Sequence, residues 1–193
     1  MQDGPDGGAG NNQGTGQQGT EDRVANDEVL YRRVPRNPGK PLYYERSGDR
    51  LQVTAQAFSE RPVPEGEPFA GQYRLSVDRA KLRGFNPELT RQGVPNHSPE
   101  SFGVVSMPAG EVRTIPGVAD IILDPILNDP PTPDNPAHAL ICVFYSAGGT
   151  STANKNVFKS VIRDLAAAAN RRPRAIDPPD DLPDDLPVDA PER

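Results

Sequence analysis

The sequence predicts an α+β fold: a small mixed or antiparallel sheet with a C-terminal amphipathic helix, flanked by disordered tails. Three observations predict it. Short segments rich in β-branched and aromatic residues, each closed by Pro or Gly, recur through the middle of the chain. One of them, "ALICVFY" (139–145), is the most apolar run of the sequence. Beyond it, Phe158, Val161, Ile162, Leu165 and Ala169 recur at the spacing of one helix face.

Taken from the N-terminus, residues 1–26 are rich in Gly, Gln and Asn and show no apolar periodicity. Such a leader cannot bury enough surface to offset an ordering entropy of roughly 1 to 2 kcal/mol per residue. "EVLYRRV" (28–34) reads as a strand stopped by Pro35. "RLQVTAQAFS" (50–59) alternates through Leu51, Val53, Ala55 and Ala57, and both a strand and a short helix fit it. "QYRLSVDRAKL" (72–82) predicts a strand running into a helical turn. In "FNPELTRQG", Asn86 and Pro87 are placed to open a brief helix. "FGVVSM" (102–107), "EVRTI" (111–115) and "VADIIL" (118–123) predict three short strands. After the loop "DPILNDPPTPDNP", the segment from His138 predicts a central strand, and a helix over about 155–169 comes next with Asn154 as its cap. The folded domain is therefore expected over 27–170, with an acidic Pro-rich tail over 171–193.

Charge placement narrows the function classes. The formal net charge is −6, and residues 177–193 hold seven acidic residues against Arg193 alone. The rest of the chain sums to zero, so a balanced surface argues against nucleic acid, and the tail is expected to contact protein. Cys142 is the only cysteine, which excludes an intrachain disulfide and fits a reducing compartment. No basic stretch followed by an apolar one opens the chain, and no run of about 18 apolar residues occurs. A cytoplasmic protein with no membrane contact, cofactor or metal is the expectation.

Four places could carry chemistry. His138 stands where the strongest strand begins; imidazole titrates near neutral pH, yet no partner at triad or metal spacing accompanies it, which favours a half-exposed residue whose ring bonds nearby backbone. Arg32 and Arg33 follow "VLY", and a guanidinium on a strand can hold a phosphate bidentately. A comparison with ADP-ribosyltransferases, through these arginines and Thr54 and Ser59, finds no acidic catalytic motif to support it. Ser146, Gly148, Gly149 and Thr150 lie between strand and helix, the layout of an anion site without the full phosphate-loop pattern. Arg171, Arg172 and Arg174 cluster at a helix end, where cations complement the dipole and the acidic tail could fold back on them.

The motifs "VLYRRV", "QVTAQAF", "LSVDRA", "FGVVSMPAGEVR" and "NPAHALI", in this order over residues 28–143, resemble a loosely defined group of small uncharacterised bacterial proteins. The shared features are an Arg-rich first strand, an Ala-x-Ala-Phe segment, a Ser-Val-Asp triplet and a Pro-Ala-His-Ala motif. The resemblance implies that Arg32 or Arg33, Phe58, Ser76 and His138 belong to one architecture, and it carries no activity. The leading functional expectation is a non-enzymatic binding or accessory protein. The alternative is a small enzyme acting on a nucleotide or phosphate ester, with His138 and Arg32 or Arg33 at its polar centre.

Overall fold

The structure is a computed structural model in which residues 23–35, 43–48, 50–92, 94–144 and 151–176 are described. Along the chain run β1 (Val29–Pro35), β2 (Tyr44–Ser47), β3 (Arg50–Val53), β4 (Arg74–Arg79), α1 (Glu88–Arg91), β5 (Phe102–Pro108), α2 (Ala109–Arg113), β6 (Val118–Leu123), β7 (His138–Val143) and α3 (Ser151–Asn170). Five strands make one sheet in the order β5-β1-β4-β7-β6, and β2 and β3 form a separate hairpin. Every ladder is antiparallel, so the α+β prediction stands in its antiparallel form.

Alternation along each strand assigns the two faces of the sheet. Leu30 and Val34 of β1, Leu75 and Val77 of β4, and Ala139, Ile141 and Val143 of β7 enter the main core beneath α3. From the helix, Phe158, Val161, Ile162, Leu165 and Ala169 meet them, so the spacing read from the sequence is the packed face. Each large apolar side chain buried here contributes about 1.5 to 3 kcal/mol. All six residues of β7 are buried, because β4 and β6 flank it and both faces are covered, which is why its sequence lacks polar alternation.

Two contacts fix α3 against the rest. The Phe158 ring stacks on Tyr73 with centroids 3.9 Å apart. At the other end, the Asn170 side chain accepts the Val53 amide and donates to the Val53 carbonyl, both at 2.9 Å, tying the helix terminus to β3. Gly117 sets the approach of β6 to the helix: its φ is +95°, and a Cβ there would lie 2.8 Å from Val161 Cγ2 and 2.9 Å from Val157 Cγ1.

Several local expectations need correction. "EVRTI" is not a strand, since α2 covers Ala109–Arg113 and buries Ala109 and Val112 three residues apart. The first amides of this short helix find carbonyls outside it, Ala109 N donating to Glu28 O and Gly110 N to Asn26 O, both at 2.8 Å. Alternation over five residues carried too little information to separate the two states. Residues 50–59 prove to be both alternatives in succession, β3 and then a 3-10 turn over Ala55–Phe58. α3 begins at Ser151, placing Asn154 inside its first turn instead of at its cap. The folded body also exceeds 27–170: Val24 is 1% exposed in the core, and Ile176 bridges to Val104.

Candidate functional site

Arg32 and Arg33 are neighbours in β1 and therefore point to opposite faces of the sheet. Arg32 turns toward the main core, is 6% exposed, and lies 5.5 Å above the Phe58 ring. Its Nη1 donates to Ser76 O at 2.8 Å, its Nε and Nη2 donate to Ala57 O at 3.4 and 3.3 Å, and Nη2 also reaches Glu60 Oε1 at 2.9 Å. The β1–β4 register holds only Leu30↔Arg79 and Tyr31↔Asp78; past it, the guanidinium takes a carbonyl of β4. Arg32 is thus a tie between three segments. It meets the Phe58 ring and the Ser76 carbonyl.

Arg33 is different. It is half-buried on the opposite face, and among the described residues it forms no hydrogen bond or ion pair. Burial holds its pKa below the ordinary guanidinium value; Asp78 opposes this, while Arg83 and Arg32 reinforce it. A guanidinium stays charged at neutral pH even so, with five donors in a rigid fork. Asp78 does not neutralise it by direct contact, because Asp78 Oδ1 accepts Asn135 Nδ2 at 2.8 Å and Oδ2 accepts Arg83 Nε at 3.1 Å.

Two clefts open on Arg33. One, of about 350 Å³, is lined by Arg33, Arg83, Leu89, Gln92, Ile126, Thr132, Pro133, Asp134 and Asn135. It offers several donors, and its one carboxylate, Asp134, accepts the Asn128 amide at 2.8 Å. The other, of about 360 Å³, runs from Arg33 past Pro35, Val94 and Phe102 toward Ser59 and Glu60. Arg33 is the cation common to both, and it has no direct carboxylate partner among the described residues.

His138 is placed apart from this pair of clefts. Its ring is buried, with Nδ1 2.7 Å from the Asp124 carbonyl, to which it donates, and 3.1 Å from Asp124 Oδ2. In the sheet it stands opposite Asp78, and it lines neither Arg33 cleft. His97 packs edge-on against Phe102. Cys142 is buried, which raises its thiol pKa. Ser146, Gly148, Gly149 and Thr150 lie outside the described residues. Among the described residues no group of three or more His, Cys, Asp or Glu could hold a metal ion, and no helix is long and apolar enough to cross a membrane.

A further cleft, of about 440 Å³, lies elsewhere, against Arg50, Leu51, Gln52 and the stretch Asn170–Arg174. Three of its four arginines have partners and the fourth, Arg50, is exposed to solvent: Glu111 pairs with Arg171 and stands 3.9 Å from Arg172, and Arg174 donates to the Leu51 carbonyl. These arginines also face the negative end of the α3 dipole, which disfavours a bound anion. Chemistry and volume therefore point to different places, and a half-buried cation without a direct partner among the described residues decides for Arg33, since Arg50 is exposed.

Reading the sequence singled out Arg33 but missed Asp78, Arg83 and Asn135 around it. Asp78 shares a strand face with Ser76 in "LSVDR", a signal that was available; Arg83 and Asn135 arrive from a turn and a loop whose paths no periodicity predicts. No protein family, no curated protein and no solved structure matches the chain.

Proposed function

We propose that this chain is a non-enzymatic binding protein whose ligand contact is the Arg33 cleft, and that the group it takes is anionic, a carboxylate or a phosphate. The observation that carries this reading is a half-buried guanidinium at the junction of two clefts that makes no hydrogen bond or ion pair among the described residues. Keeping such a charge partly out of water is costly unless a partner arrives, so the position is held ready for an acceptor from outside the body. Arg83, Asn135, Gln92 and Thr132 line the same cleft and supply polar groups around the acceptor. Binding is favoured over chemistry on a phosphate ester because Arg32 is committed to carbonyls and His138 to Asp124, so the polar centre such chemistry needs is divided between separate sites. A cytoplasmic protein partner presenting an acidic group fits this cleft.

The test uses the chain ending at Ile176, which keeps every described residue. The Arg33 Nε–H resonance is followed during titration with inorganic phosphate and, in a second arm, with a hexaglutamate peptide. A saturable shift in one arm, accompanied by shifts of the β1 backbone amides that are lost in Arg33→Gln, supports the reading and distinguishes phosphate from carboxylate. No saturable shift in either arm overturns it.

A further inference from the structure

The cleft that Arg33 shares with Asn135 combines a cation with an apolar wall. Arg33 supplies the charge, and Leu89, Ile126 and Pro133 supply the apolar surface. That surface is fixed from two sides. Ile126 and Asn135 bridge antiparallel, Ile126 N donating to Asn135 O at 3.1 Å and Asn135 N to Ile126 O at 2.7 Å, and Asn135 Nδ2 donates in turn to Asp78 Oδ1. Opposite them α1 carries Leu89, and Arg91 of the same helix donates from Nε to Pro99 O at 2.8 Å.

Apolar surface continues beyond these walls. Leu89 itself is exposed, as is Leu127 next to Ile126, and Phe85 is 64% exposed. Phe85 lies over the same face as Arg33, because Tyr31, two residues before Arg33 in β1, donates its hydroxyl to Phe85 O at 3.3 Å. Its φ of +56° is a left-handed backbone that a bulky residue rarely adopts. The Phe85 amide donates to Ala80 O at 2.8 Å, so main-chain bonds at both ends of the residue hold this conformation while the ring stays largely in water. Single apolar side chains on a surface are ordinary, but three of them around one recessed cation form a surface with both characters.

Charge selects the anion. Arg83 is matched by Asp78, and Asp134 adds a further carboxylate to the lining, so the cleft favours one negative charge on Arg33 over the two of a phosphate. We infer that the ligand of the Arg33 cleft is an extended segment of another protein, which sets a single carboxylate on Arg33 and packs a neighbouring large apolar side chain on Leu89, Ile126 and Phe85. This rests on the reading of Arg33 as an anion contact and adds what flanks the anion. The Gln92 and Thr132 side chains line the cleft and make no hydrogen bond among the described residues, which leaves each a donor and an acceptor for the main chain of such a segment. A fatty acid has no amides to use them, and an anionic bilayer meets the exposed Asp134 carboxylate before it reaches a half-buried guanidinium.

The experiment measures dissociation constants of the full chain for three end-blocked synthetic peptides on a Gly-Ser frame, carrying Glu beside Leu, Glu beside Ser, or Gln beside Leu. Shifts of the β1 backbone amides locate each complex at Arg33 and not at the arginines that end α3. The first peptide is expected to bind about tenfold more tightly than either of the others. Gly suits the backbone at position 85, so the melting temperature of Phe85→Gly should not fall, while that variant and Leu89→Gln should each lose much of the preference for Leu over Ser. Equal affinities for the first two peptides, or a preference unchanged in both variants, overturn the apolar contact and leave the anion contact standing. If Glu is not preferred over Gln, or that preference is unchanged in Arg33→Gln, the anion contact fails and this inference with it. Vesicles of phosphatidylserine make a last arm: sedimentation of the chain with them, lost in Phe85→Gly, would assign the apolar surface to a bilayer and overturn the protein ligand.

Discussion

Glu28 Oε2 accepts Arg79 Nε and Glu28 Oε1 accepts Arg79 Nη2, both at 2.8 Å, with the two side chains only 9% and 12% exposed. The hydrogen bonds from Arg79 hold the Glu28 carboxyl below its ordinary pKa, against the opposing effect of burial. Removing one partner of such a pair leaves the other charge buried alone. Glu28→Gln should lower stability by about 3 kcal/mol in urea unfolding at neutral pH. Because the folded pKa is depressed, the stabilisation is present above the ordinary carboxylate value and is lost as pH falls through the folded one. The gap between parent and variant should therefore close in acid, and a gap constant between pH 7 and pH 3 would contradict the ion pair.

The two adjacent arginines of β1 should respond oppositely to removal of charge. Arg32→Met leaves the carbonyls of Ala57 and Ser76 without their donors and is expected to cost about 3 kcal/mol. Arg33→Met removes a partly desolvated cation that has no partner among the described residues. Its stability should rise or stay within about 0.5 kcal/mol of the parent. Parallel thermal melts decide this, and equal losses would show that Arg33 is also a structural tie.

Gly117→Ala combines two penalties, a left-handed backbone and a clash with the Val157 and Val161 methyls. Neither valine has a flexible end to move aside, so the helix or β6 must shift. A loss of about 2 to 3 kcal/mol is expected. Calorimetry on this variant beside Gly66→Ala separates the two penalties, because Gly66 has φ +90° with nothing within 4 Å. Comparable losses at both sites would remove the packing argument.

Cys142 is enclosed in β7, and burial pushes its thiol pKa up, with Asp120 and Asp124 adding to the shift and Arg74 opposing it. In the folded protein it should react with iodoacetamide at pH 8 at least about tenfold more slowly than in urea. Rapid alkylation of the native chain would mean that this strand opens readily.

The sequence carried the elements well where a repeating pattern met continuous burial. α3 and β7 were legible because each buries a long row of side chains. α2 was not, because what makes it helical is non-local: carbonyls at Asn26 and Glu28 receive its first amides, and Gly110 is needed where a Cβ would come within 2.9 Å of Asn26 O. The site was half legible for the same reason. "YRR" marked a pair of arginines, but which of them is enclosed by partners depends on Ala57, Ser76 and Glu60, brought together only by the fold. His138 drew attention as one of two histidines, and its Asp124 partner lies across a loop whose course no periodicity fixes.

The bridge at Ile176 bears on the open edge of the sheet. β5 is the outer strand of the five-stranded sheet, and its free edge would offer main-chain donors and acceptors to any passing strand. At Val104 those groups are taken by Ile176 from the same chain. A chain shortened before Ala175 would lose that cover, along with the apolar contacts of Ala175 and Ile176, and present β5 as a template for pairing with a second copy. Ala175 and Ile176 therefore close part of an edge that would otherwise stand open to pairing.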